Sequence, residues 1–168
     1  MGEVTNYFKG KKPSVILDIP NKNYEPYLTA ETMRTGTFGK WCEINTDVVR
    51  VKNNDVLFIW DGSYSGDVFT GFRGALASTM VKIEPKQRNL GRKFLFYFLK
   101  TKFKLFNSTT TGTSIPHVSE SVFTDLKIPL PPLPEQQRIA EILSVVDEKI
   151  EVERRRKEKL EELKKGLM

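Results

Sequence analysis

Histidine and cysteine are the side chains most often recruited as base, nucleophile or metal ligand, and this chain of 168 residues holds one of each, His117 and Cys42. A single thiol builds no disulfide framework, and two such ligands fall short of an ordinary zinc set. No Ser, Cys or Lys nucleophile has a histidine partner other than the one His117 would supply. The run Arg34-Thr-Gly-Thr-Phe-Gly-Lys-Trp41 brushes against a phosphate-binding loop, but its spacing is short and Trp41 stands where a hydroxyl would hold magnesium. Glu84-Pro85-Lys86, downstream of Asp67, has the acid-x-lysine order of a metal nuclease; such triplets arise by chance, and Pro85 would disturb a central strand. These residues therefore predict a non-catalytic chain with no cofactor of its own.

Charge points elsewhere. The chain carries 27 Lys and Arg against 21 Asp and Glu, and the whole excess of +6 lies before the proline cluster at 129–134. Residues 82–104 concentrate eight basic side chains against one acid, Glu84. A field of that density favours a polyanion, with a solvated lysine-rich surface as the plain alternative. The longest apolar runs, Val56 to Trp60 and Phe94 to Leu99, are far below the roughly 18 to 20 residues of a membrane span, and the amino terminus has no secretory pattern. The expectation is a soluble, cytoplasmic chain that does not meet a membrane.

The elements that must position these groups read as an α+β fold in two parts, 1–132 and 133–168. Strands are predicted at Ser14 to Ile19, at Val56 to Trp60 after the turn Asn53-Asn54-Asp55, and at Ala75 to Ile83 after a glycine-punctuated stretch. Phe94, Leu95, Phe98 and Leu99 share one face of a helix expected over Gly91 to Leu105. Asn107 to Ser114 is a hydroxyl-rich, exposed loop. Four prolines between 129 and 134 then make a stiff connector. An SH3-type ligand is its other reading, but joining a domain to a helix is the simpler task.

From Pro134 no proline follows and no glycine until Gly166, so one long helix is expected, with Glu135 at its amino end and Lys164 and Lys165 at the other. Its seam runs Ile139, Leu143, Val146, Ile150, Glu153, Lys157, Leu160, Lys164, Leu167 at alternating spacings of four and three. An antiparallel register with a second copy sets Glu153 against Lys157, Ile150 against Leu160 and Leu143 against Leu167, with Val146 facing Lys164. A second register sets Ile150 on Glu153. The first pairs opposite charges about a dyad near residue 155 and predicts a two-fold homodimer. The alternatives are a solvated single helix or one docked on a different protein, since twelve of the fifteen residues from Glu151 to Lys165 are charged.

The run Ile128-Pro-Leu-Pro-Pro-Leu-Pro-Glu-Gln-Gln-Arg-Ile-Ala-Glu-Ile-Leu143 resembles the proline-rich entry into the long conserved helix of the specificity (S) subunits of type I restriction-modification systems, with their Glu-Gln-x-x-Ile signature at Glu135, Gln136 and Ile139. Asp55-Val-Leu-Phe-Ile-Trp-Asp-Gly62, Gly112-Thr-Ser-Ile-Pro-His-Val-Ser119 and Pro26-Tyr-Leu28 resemble elements of that family's target recognition domain, in the right order. The family normally carries two recognition domains and two helical regions; here there is one of each, which implies a half-subunit. The resemblance implies a subunit without chemistry of its own. It would bind double-stranded DNA, two adenine methyltransferase subunits through its helices and, through those, the restriction subunits. S-adenosylmethionine, ATP and magnesium would belong to these partners. A homodimer would read an interrupted palindrome. An interaction protein that caps or retargets a methyltransferase or a full-length S subunit is the competing reading; a free-standing DNA-binding regulator is a third, disfavoured by the helix signature.

Base reading needs donors and acceptors on exposed loops, and phosphate contact needs Lys, Arg, hydroxyls and amides. Three loops qualify: Arg34, Thr35, Thr37 and Lys40; Ser63, Tyr64 and Ser65; and Thr109, Thr110, Thr111, Thr113, Ser114 and His117, flanked by Lys102 and Lys104. Lys86, Arg88, Arg92 and Lys93 are expected on phosphates. A soluble turn, surface packing of Tyr64 and a structural role for His117 are the corresponding plain readings.

Overall fold

The run Val56-Leu57-Phe58-Ile59 has no polar alternation, so a strand made from it must be covered on both faces. The computed structural model describes residues 1–44, 47–112 and 114–167. Along it run strands β1 (Thr5–Lys9), β2 (Ile16–Leu17) and β3 (Tyr24–Leu28), helix α1 (Ala30–Thr35), and strands β4 (Trp41–Glu43), β5 (Arg50–Val51), β6 (Val56–Ile59), β7 (Val68–Phe69), β8 (Gly74–Leu76) and β9 (Met80–Pro85). Helices α2 (Arg92–Lys100), α3 (Phe103–Ser108), α4 (Glu120–Asp125) and α5 (Leu133–Gly166) complete it. Strand β6 lies inside an antiparallel sheet of order β1-β9-β6-β7, which stacks on a mixed sheet of order β2-β4-β3-β8-β5. Val56, Phe58, Val81 and Ile83 turn toward the helices, where they meet Leu95, Leu99, Phe106 and Phe123. Leu57, Ile59 and Met80 turn the other way, onto Leu28, Val51 and Leu76 of the second sheet. The period of two along each strand thus feeds two cores.

Several elements differ from their sequence reading for identifiable reasons. The stretch Ala75 to Ile83 is two strands in different sheets: Met80 N donates to Ala77 O across a turn, and the chain changes sheet there. The helix expected over Gly91 to Leu105 breaks at Thr101, whose hydroxyl donates to Phe98 O at 2.7 Å and whose amide is shared between Tyr97 O and Phe98 O. That tightened turn redirects α3 so that Phe106 also enters the core. Pairing around Ser14 to Ile19 shrinks to Ile16 and Leu17, because an edge strand running into Pro20 finds no further partner and Ile19 is left exposed. Arg34 and Thr35 sit on the last turn of a short helix, not in a loop. Thr29 caps that helix by accepting from Thr32 N, and Gly36 ends it with φ of 71°.

Helix α5 matches its expectation to one residue at its start, with Pro134 in the first turn and Lys164 and Lys165 in the last. Its first half packs along α2. At the near end the buried Gln136 side chain joins it to Gly91, and eleven residues on, Asp147 meets Lys100 at 3.1 Å. The two helices therefore run in the same direction. At 34 residues α5 is about 51 Å long, so its second half projects past the Lys100 end of the domain.

Candidate nucleic-acid interface

The sheet register decides which loops meet. Ile59 pairs with Met80 and Lys9 with Val81, so the end of β1, the exit of β6 and the turn before β9 share one edge of the molecule. The loop after β6 is clamped there at every turn. Trp60 and Asp61 both donate their amides to Thr79 O, and Gly62 N donates to Pro116 O at 2.8 Å. The buried Ser65 hydroxyl lies 2.6 Å from Gly62 O and 3.1 Å from Trp60 O. Asn107 Nδ2 donates to Ser63 O and Ser65 O. Gly66 has φ of 102°, and a Cβ there would lie 2.8 Å from Phe106 Cβ, so only glycine fits. A loop held this way presents Ser63 and Tyr64 outward from a fixed backbone.

Three side-chain pairs join segments that the sequence keeps far apart. The Arg34 guanidinium carbon lies 3.3 Å from the centroid of the Tyr64 ring. His117 Nδ1 lies 2.6 Å from Asp61 Oδ1, while Lys9 Nζ lies 3.1 Å from Asp61 Oδ2. An ionised carboxylate only accepts, so this contact puts a proton on Nδ1 and leaves Nε2 as the free ring nitrogen. The His117 backbone exchanges two 2.8 Å hydrogen bonds with Thr111, which closes the third loop on itself, while Pro116 O and the His117 ring tie it to the second. Burial lifts the Asp67 carboxyl above the ordinary carboxylate range, against the pull of Arg34 and Lys100.

The sequence-predicted residues thus divide. Arg34, Thr35, Lys40, Ser63, Tyr64, Thr110, Thr111 and His117 are carried by the segments that gather at this edge, with Lys104 exposed on the buttressing α3. Thr113 lies outside the described residues. Some of these hydroxyls already serve the fold: Thr35 Oγ1 donates to Glu31 O at 2.9 Å and accepts from Thr37 N, and Thr110 Oγ1 donates to Asn107 O. Lys86, Arg88 and Arg92 lie at the opposite end of the sheet. Arg92 Nη1 is 2.8 Å from the buried Asp55 at the start of β6, and Lys86 Nζ donates to Gly2 O at 2.6 Å. From Asp55 to Asp61 the extended chain spans about 20 Å.

Lys9, Lys11 and Thr79 belong to the gathered edge and escaped the sequence reading. Asp61 and Asn107 enter that reading only as parts of a segment, Asp61 at the end of an apolar run and Asn107 at the head of a loop, whereas Asn107 lies in α3 and holds the loop after β6. Gln136, grouped on sequence with the partner-facing helix residues, is turned inward: Nε2 donates to Asn89 O and Pro131 O, and Oε1 accepts from Gly91 N. Ile139 is half-buried on the same core, whereas Leu143, Val146, Ile150, Leu160 and Leu167 are exposed, as are Glu135, Glu153 and Lys157. Ile142, Val145, Val152 and Leu163 are exposed beside that seam and widen the apolar arc. Along the free half, Glu151 takes hydrogen bonds from Arg154 and Arg155, which hold its carboxyl down at about 2.

Among the described residues no cluster of three or more His, Cys, Asp or Glu could hold a metal ion, and no helix is long and apolar enough to cross a membrane. Residues 1–162 match the family described as the type I restriction modification DNA specificity domain. The chain is 45% identical over its whole length to the MjaVIII specificity subunit of Methanocaldococcus jannaschii, covering 40% of that protein. It is 31% identical over 110 residues to the EcoDI specificity subunit of Escherichia coli, covering 66% of this chain and 24% of that one. The HsdS subunit from Thermoanaerobacter tengcongensis superposes with a TM-score of 0.67 at 21% identity, over 90% of this chain and 37% of its own. The S subunit from M. genitalium gives 0.64 at 24% identity, over 89% and 38%. At these identities the structural likeness is one of fold, and the chain spans two fifths or less of each of these relatives.

Proposed function

The chain belongs to the type I restriction-modification DNA specificity family, and from that premise we propose that residues 1–132 read one half of a bipartite DNA target while residues 133–168 carry the subunit contacts. The observation behind the first part is the convergence of three segments, the end of α1 and two loops, on one clamped edge rich in basic and hydroxyl side chains. Nothing in the reading requires this chain to do chemistry. Methyl transfer and ATP-driven restriction would belong to the methyltransferase and restriction subunits it positions, along with their S-adenosylmethionine, ATP and magnesium.

Support for the second part comes from α5. Its exposed apolar residues extend from the seam Leu143, Val146, Ile150, Leu160 to the flanking Ile142, Val145, Val152 and Leu163, an arc wider than one helix contact covers. Two neighbours suit it: the antiparallel helix of a second copy, and a methyltransferase subunit. Because α5 leaves the domain past the Lys100 end, the clamped edge of each copy faces the dyad near residue 155, drawing the two half-sites toward each other.

Selection from randomised duplex DNA by the chain assembled with its methyltransferase subunit, at stated salt, tests the whole reading. An interrupted inverted repeat is the expected product. A single half-site removes the homodimer, and no enrichment favours a protein that docks on and blocks or retargets a methyltransferase. The register has its own check: Glu153→Lys sets lysine against lysine twice per dimer and should weaken self-association by roughly tenfold, and Glu153→Lys with Lys157→Glu should restore it in sedimentation equilibrium. A double variant no better than the single rejects the register.

A further inference from the structure

Among the residues gathered at the clamped edge, the geometry points to Arg34 as a reader of guanine in the major groove, with Tyr64 as the platform that sets the plane of its guanidinium. The inference rests on the DNA-recognition reading and adds the base and the pair of residues.

Arg34 projects from the last turn of α1 and is exposed; the loop that carries Tyr64 is fixed by the hydrogen bonds of Thr79, Pro116 and Asn107. At 3.3 Å from the ring centroid, the guanidinium lies within contact distance of the aromatic face. Stacking occupies that face and leaves the in-plane N–H donors free. Among the described residues no carboxylate lies within ion-pair distance of Arg34; Asp67 acts on it only from farther off, so the fork makes no ion pair inside the chain. Thr35 beside it is spent, since its hydroxyl both donates and accepts within α1 and the turn after it.

A guanidinium offers donors and no acceptor. In the major groove guanine alone presents two acceptors, N7 and O6, at the spacing of such a fork. Adenine sets its amine donor beside N7, cytosine shows only a donor, and thymine offers one carbonyl beside a methyl group. A phosphate would also satisfy the fork, but then the plane set by Tyr64 would carry no sequence information.

The test is competition binding by the methyltransferase-assembled chain to its selected site and to every single-base change in one half-site. Arg34→Lys and Tyr64→Ala should each lower the preference for guanine at one and the same base pair by about tenfold to a hundredfold, while Tyr64→Phe keeps it. Arg34→Lys with Tyr64→Ala should lose no more than either alone, and thermal melting should be unchanged for exposed side chains. A uniform loss over all sequences with a shallower salt dependence, or losses at different base pairs, overturns the assignment while the recognition reading stands. A wild-type assembly with no sequence preference overturns that reading and this assignment with it.

Discussion

Gln136→Ala should destabilise the protein by about 3 to 5 kcal/mol, one of the largest losses available from a side chain outside the apolar cores. The amide is 1% exposed and makes three hydrogen bonds, to Asn89 O at 2.7 Å, to Pro131 O at 2.8 Å and from Gly91 N at 2.9 Å. It therefore closes the turn before α2, the proline connector and the first turn of α5 onto one another. Alanine leaves a donor and two acceptors without partners in a space too tight for easy rehydration, at about 1 to 3 kcal/mol for each unsatisfied group. Gln136→Glu should also be costly, because a carboxylate brings no donor for the two carbonyls. Gln137→Ala, exposed one residue further on, is the control and should stay within about 0.5 kcal/mol. Urea titration followed by circular dichroism measures all three. A loss below 1 kcal/mol for Gln136→Ala would mean that the α2 contact, including Lys100 with Asp147, fixes α5 without the amide.

The same residue shows where a sequence stops being legible. Glu135, Gln136 and Ile139 stood out as a signature, yet spacing alone could not say that Gln136 points inward while Glu135 points to water. Strongly periodic or strongly apolar segments were readable because burial on one or both faces dictates their pattern: β6 with its uninterrupted apolar run, and α5 with its proline start. Short elements were not. The six residues of α1 are held by the Thr29 cap, a single local hydrogen bond with no periodic pattern behind it, and those of α4 by the fully buried Phe123, whose core neighbours are distant in sequence. The candidate site was half legible for the same reason. Its loops announced themselves by composition, but the contact of His117 with Asp61 joins positions 56 residues apart, and Lys9 comes from an edge strand with no distinguishing signal. The basic run 82–104 does not form one patch in the fold, because β9 and α2 carry it across the molecule and back.

That division sets the second large effect, a contrast between the two ends of the sheet. Replacing Lys9, Lys11, Lys40 and Lys104 together by glutamine should lower DNA affinity by about a hundredfold or more at moderate salt and reduce the slope of log affinity against log salt by about 3 to 4. Each counterion released by a phosphate contact adds about 0.9 to that slope, and these four exposed ammonium groups ring the clamped edge. Lys11 is paired with Asp47 at 2.5 Å, but both are exposed, and such a surface pair is worth little against a phosphate; Lys9 is paired with Asp61 at 3.1 Å, and Asp61 keeps the His117 ring as partner when Lys9 is replaced. At the other end, Lys86→Gln with Arg88→Gln and Lys93→Gln should change affinity by less than about threefold. These residues sit about 20 Å along the sheet from Asp61. Arg92 belongs to neither set: it neutralises Asp55, which is 6% exposed in its side chain, so its removal should cost stability before it costs binding. Titrations of both triple and quadruple variants over a salt series separate the ends, since a true phosphate contact moves slope and affinity together. If the Lys86, Arg88 and Lys93 variant carries the larger loss in both, the duplex runs along the flank of α2 instead of across the clamped loops. Arg34 and Tyr64 would then lie off the groove, and the guanine contact would fail with the placement that supports it.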